Sequence, residues 1–273
     1  MLRHVLLSMV LGGTALAAPQ RVVTLGGDIT EIVYALGKGD TLAAVDVTSV
    51  YPEAALKLPK VGYVRALSAE GILAMKPDLI LASGEAGPAE TMAQLKAAGI
   101  PIVALPKDHT LPGIEGKIRA VAEAFDAKAD GERLASTFET DREVAEATAK
   151  QGEPVTAVYV MARSDGTLIG AGRGTAADAM LTAAGLKNIF ADTEGYKPVS
   201  GEALVGQNPA VIVTGQRTVQ ASGGLEKLKA NPALSPTAAV KNDHLLVFDD
   251  MYLLGLGPRS AQAARELAQA ARK

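Results

Sequence analysis

Tyr63 and Arg65 stand two residues apart in the stretch Val61-Gly62-Tyr63-Val64-Arg65-Ala66-Leu67-Ser68-Ala69-Glu70. The stretch reads as extended chain running into a helix start, and alternate side chains of an extended chain share a face, so the phenol and the guanidinium are expected to point the same way. A phenol is a weak ligand while protonated, near its reference pKa of about 10, but ferric iron favours the phenolate and a nearby guanidinium favours it further. The pair therefore has the chemistry of a ferric haem ligand and its support. On spacing alone, a loop aromatic beside a solvated charge is the commoner explanation of two such residues.

Other chemistries lack their parts. The sequence holds three histidines, His4, His109 and His244, and no cysteine. A multi-histidine carrier of zinc or manganese therefore cannot be assembled. There is no Gly-x-Ser-x-Gly elbow, phosphate-loop lysine pattern or His-Glu-x-x-His helix. Gly170, Gly172 and Gly174 lack the Gly-x-Gly-x-x-Gly spacing and read as a loop before a helix. An exported enzyme using Asp28 or Glu85 as a general base is a rival reading, but neither acid has a partner at a recognisable catalytic spacing. With 30 acidic against 27 basic side chains, nucleic acid is not an expected partner.

The elements that would position these residues begin after a leader. Arg3 and His4, the apolar run from Val5 to Leu11 and the small residues Ala15 and Ala17 read as a secretory signal peptide over 1–17, cleaved before Ala18. Without cysteine no lipid anchor follows it, so the expected product is freely soluble in the periplasm. No later apolar run reaches the roughly 18 residues of a membrane span.

Short β-rich runs then alternate with helical segments. Strands are expected at Val22 to Leu25, Leu42 to Val45, Leu79 to Ala82 and Ile102 to Ala104, with helices at Ile29 to Leu36, Ala69 to Met75 and Ala89 to Ala98. They make an N-terminal α/β lobe over 18–111. Residues 112–151 form a helical segment whose stretch from Ala127 to Lys150 reads as one helix of roughly 35 Å, with Glu146 and Lys150 as an i to i+4 pair. A second α/β lobe over 152–273 carries strands near Ala157 to Met161, Thr167 to Ala171, Val211 to Val213 and Leu245 to Phe248, and helices near Ala176, Glu202 and Ser260. Ser68, Glu70, Pro77 and Ile80 recur as Ser200, Glu202, Pro209 and Ile212 with unchanged spacing, which reads as lobe-level duplication. The expected fold is thus two Rossmann-like α/β lobes joined by a single long helix, with a ligand cleft between them.

The wording of several stretches resembles the periplasmic haem-binding proteins of ABC importers, a helical-backbone class shared with vitamin B12 and siderophore binding proteins. They are Gly26 to Gly37, Tyr51 to Ala55, the Tyr63 segment, Gly174 to Met180, and Leu253 to Arg259. The resemblance covers essentially the whole chain after the leader. It implies binding and handover rather than catalysis, with haem (hemin) as the transported ligand and an inner-membrane ABC permease as the partner of a monomer. It also implies Tyr63 as the axial iron ligand, Arg65 as its support, and Glu70 and Glu202 as the glutamates that dock on the permease. Some relatives supply a histidine where this chain has Arg163 and Ser164, so here Arg163, Arg173 and Arg217 are candidates for the propionates. Tyr252, in the loop before the glycine-rich turn, is a candidate for packing on the porphyrin face. A corrinoid or a ferric siderophore is the alternative ligand. Glu70 and Glu202 also suit the first turn of a helix behind the caps Ser68 and Ser200, with no partner required.

Overall fold

The computed structural model describes residues 18–163 and 165–273. The expected signal peptide, with Arg3 and His4, and Ser164 lie outside the described residues.

In the first half, β1 (Val22–Leu25), α1 (Gly27–Ala35), β2 (Leu42–Val45), β3 (Gly62–Tyr63), β4 (Ala66–Leu67), α2 (Ala69–Leu73), β5 (Leu79–Ala82), α3 (Ala89–Ala97) and β6 (Ile102–Ala104) follow one another. The sheet has the order β2-β1-β5-β6 and all three pairings are parallel. Every residue of β1 and β5 is buried, because helices cover both faces of a parallel sheet and its strands then read as unbroken apolar runs. The strand bounds expected from the sequence match these four strands.

Two helices, α4 (Leu111–Ala124) and α5 (Lys128–Ala149), lead to the second half. The 22 residues of α5 extend for about 33 Å. Gly131 lets α5 lie close on α4, since a Cβ there would run into the Cβ of Ala122. Arg142 takes Glu146 at 2.6 Å, so Glu146 pairs one turn back and not forward with Lys150 as its spacing led us to expect. Thr110 caps α4 by accepting from the Gly113 amide.

The second half runs β7 (Val155–Ala162), β8 (Leu168–Ala171), α6 (Ala176–Ala183), β9 (Leu186–Asn188), β10 (Tyr196–Pro198), α7 (Gly201–Gln207), β11 (Val211–Gly215), α8 (Gln216–Ala221), α9 (Leu225–Lys229), α10 (Ala238–Lys241), β12 (Leu245–Phe248), α11 (Asp250–Leu254) and α12 (Ser260–Ala270). Its sheet order is β10-β8-β7-β11-β12. The first part of β7 pairs with β9 in parallel, its last residues pair with β8 in antiparallel, and β11 runs parallel on its other edge. This is a mixed sheet, extended by the antiparallel strands β8 and β10. Gly172 makes that extension possible, since a Cβ there would meet the Thr193 carbonyl.

The duplicated motif occupies equivalent places in both halves. Ile80 in β5 and Ile212 in β11 are fully buried central-strand residues, and each follows a short helix and a proline. Ser200 caps α7 by accepting from the Ala203 amide, whereas the Ser68 side chain makes no cap bond to α2. The inward faces of both sheets, α1, α4, α5, α6 and α12 share one contiguous apolar cluster. Each sheet has a smaller cluster on its far side. Two α/β lobes therefore lean on a common helical spine, with the carboxyl ends of β1, β5, β7 and β11 facing a cleft.

Candidate functional site

The cleft measures about 640 Å³ and is lined by both lobes. Tyr63, Arg65, Glu85, Lys107 and His109 form the N-terminal wall, and Tyr159, Met161, Tyr196, Arg217 and Met251 form the opposite one. That size and mixture of aromatic, thioether and charged groups suits a small molecule with a few polar substituents.

Tyr63 ends β3 of a hairpin in which Tyr63 pairs with Ala66 and Gly62 with Leu67. The sequence led us to expect Tyr63 and Arg65 on one face of an extended strand. Instead Val64 and Arg65 form a two-residue turn, and the turn folds the guanidinium back onto the phenol. Arg65 Nη1 donates to Tyr63 Oη at 2.7 Å, and Arg65 Nε donates to Glu85 Oε2 at 2.8 Å. Tyr63 remains 42% exposed and lines the cleft.

Glu85, in the turn after β5, gathers more than Arg65. Lys107 Nζ stands 2.9 Å from its Oε1 and His109 Nε2 stands 3.4 Å away. His109 Nδ1 donates to the Gly174 carbonyl at 2.9 Å, which ties the N-terminal wall to the loop before α6. Burial works upward on the Glu85 carboxyl, but hydrogen bonds from Lys107 and Arg65 outweigh it and hold the group down to about 2. A carboxylate so weakly basic is a poor general base. The rival role for Glu85 therefore has no support in its surroundings. Asp28 is equally committed: its Oδ2 accepts from Lys117 Nζ at 2.7 Å in a buried pair, and Lys117 also donates to the Leu256 carbonyl.

On the far wall, Arg217 lies in the first turn of α8. Its backbone amide donates to Asp250 at 3.0 Å while its guanidinium makes no ion pair among the described residues. Arg163, just after β7, and Arg173, before α6, are exposed and are not among the cleft-lining residues. Tyr252 also lies elsewhere. It is part of helix α11 and not of a loop, and it packs half-buried against the central core with Arg259 over its ring at 5.1 Å. Its helical neighbours Met251 and Leu254 line the cleft in its place. Lys107, His109, Tyr159 and Tyr196 had no sequence signal as site residues, because loop length and strand pairing bring them there. Glu70 and Glu202 are exposed in the first turns of α2 and α7.

Among the described residues no cluster of three or more histidines or acids could hold a metal ion. None of the described helices is long and apolar enough to cross a membrane.

This two-lobed plan with its spine and cleft has close counterparts. A family model described as periplasmic binding protein matches residues 22–252. The chain belongs to the periplasmic binding protein family. Among solved structures, this binding protein is 40% identical to the periplasmic heme-binding protein RhuT from Roseiflexus sp. RS-1 in apo form. The match covers 92% of this chain and 97% of that one, with a TM-score of 0.87. It is 36% identical to the periplasmic heme-binding protein BhuT in complex with two hemes, with the same coverage and TM-score. It is also 32% identical to the vitamin B12-binding protein of Pectobacterium atrosepticum, over 96% of this chain and 92% of that one. These relatives are named for ligands they bind, heme in two cases and vitamin B12 in the third.

Proposed function

We propose that this binding protein captures ferric haem in its cleft and hands it to the permease of an ABC importer. The observation that carries the reading is Tyr63: an exposed phenol on the cleft wall with a guanidinium donor 2.7 Å from its oxygen. A positive donor at that atom supports a phenolate bound to ferric iron. Arg217 lines the opposite wall, and a guanidinium there supports a contact with a propionate carboxylate. Similarity to RhuT and BhuT favours haem, and similarity to an ABC transporter substrate-binding lipoprotein of Bacillus subtilis favours delivery to such a transporter. The sequence contains no cysteine to carry a thioether-linked lipid, and a periplasmic form without that attachment is the one we assign.

The relationship to vitamin B12-binding proteins favours a second reading, a corrinoid carrier. Titrating the purified protein separately with hemin and with cyanocobalamin separates the two. Haem binding gives a saturable Soret shift with the weak red band of phenolate-ligated ferric iron. Saturable binding of cyanocobalamin without a Soret response to hemin transfers the assignment to the corrinoid.

A further inference from the structure

Arg65 can support Tyr63 only if something fixes its orientation, because an exposed arginine otherwise samples many rotamers. Its side chain is 55% exposed and sits in a two-residue turn. We propose that Glu85 is the positioning residue of the site: by engaging Arg65 Nε it leaves Nη1 as the group that meets the Tyr63 oxygen. This inference rests on the haem reading for its purpose but on the apo-protein geometry for its substance.

A guanidinium presents its donors in a rigid planar fork, so anchoring Nε to one carboxylate oxygen fixes where Nη1 points. Here the two bonds measure 2.8 Å to Glu85 Oε2 and 2.7 Å to Tyr63 Oη. Glu85 is itself held in place. Its backbone amide donates to Ser83 Oγ, and its second oxygen is buried, 2.9 Å from Lys107 Nζ and 3.4 Å from His109 Nε2. Gly84 makes that convergence possible, since a Cβ there would lie 2.5 Å from the Lys107 amide nitrogen. With only 19% of its side chain exposed, the carboxylate is among the most enclosed charges on the N-terminal wall. A residue that merely neutralised two surface cations would need none of this enclosure.

The test compares Glu85→Ala with Glu85→Gln, since the glutamine retains a carbonyl acceptor for Arg65 Nε and loses only the charge. In the ligand-free protein, 15N NMR of arginine side chains reads the Arg65 Nε–H directly. It is expected to exchange slowly in the wild type and in Glu85→Gln, and to lose that protection in Glu85→Ala. In the hemin complex, loss of the donor raises the energy of the phenolate lone pair, so the charge-transfer band of Glu85→Ala moves to longer wavelength. Its haem dissociates about tenfold faster, the scale of one weakened charge-assisted hydrogen bond. Glu85→Gln stays near the wild type in both. If the alanine and glutamine variants behave alike, or if haem binds more tightly to both with no band shift, Glu85 acts only as a counter-charge and the inference fails. Thermal melting of each variant establishes that it is folded. A wild-type protein with no phenolate band overturns the haem reading instead, and the Arg65 Nε–H signal of the apo-protein still decides the role of Glu85.

Discussion

Tyr63 differs from a surface aromatic in what touches its oxygen. Replacing it by alanine is expected to abolish the red phenolate band of the hemin complex and to weaken binding at least tenfold, and Phe in its place should lose the band while keeping part of the affinity contributed by the ring. Absorption titrations read both; a band that survives Tyr63→Ala removes Tyr63 as the ligand. The neighbouring Glu85 gives the wall a pH dependence. Its folded-state pKa of about 2 lies below the ordinary 4.5, so the carboxylate stabilises the fold above pH 4.5, and that contribution is lost as pH falls towards 2. The difference in melting temperature between the wild type and Glu85→Gln should therefore be constant from neutral pH down to about 5 and shrink below it. At this scale the sequence disclosed the Tyr and Arg pair but not its geometry. A one-dimensional reading with a period of two has no means of registering that Val64 and Arg65 form a turn, or that Glu85, 20 residues on, receives the guanidinium.

The elements were more legible. Buried parallel strands announce themselves as short apolar runs between turn residues, which is why the strands of the first sheet and β12 match their expected bounds. The short pieces β9, β10 and α8 to α11 were missed because each is too brief for a period to develop, and because β10, with three exposed residues, exists by pairing with β8 and not by apolar content. The paired helix starts carry two tests. Ser200 makes a cap bond and Ser68 does not, so Ser200→Ala should cost about 1 kcal/mol in chemical denaturation while Ser68→Ala costs close to nothing. Glu70 and Glu202 begin equivalent helices on the two lobes and are both exposed, which suits a symmetric pair of contacts with a permease. Changing both to arginine should leave hemin affinity unchanged and abolish uptake by cells that depend on this importer. Full uptake by the double variant would remove the docking role.

The two lobes share an apolar cluster along the spine, and two enclosed charge pairs lie at one end of it. Arg259 grips Glu31 with bonds of 2.9 and 2.6 Å and stacks 3.6 Å from the Tyr51 ring centroid, while Lys117 holds Asp28 beside it. Arg259, just before α12, reaches α1 directly, and Lys117 of α4 adds a bond to the Leu256 carbonyl, so both cations fasten the segment before α12 to the first lobe. Arg259→Met should cost about 3–5 kcal/mol, because it strands a carboxylate that is 7% exposed; Glu31→Gln, which keeps an acceptor, should cost less in the same denaturation experiment. With the lobes bolted together at this end and sharing a core along the spine, wide closure over the ligand is not expected.

The Glu31 and Arg259 partners stand 228 residues apart. One buried acid of the first lobe thus finds its counter-charge only on a segment that follows the strands of the second. Neither half is complete without the other, and the two are expected to melt in a single cooperative step.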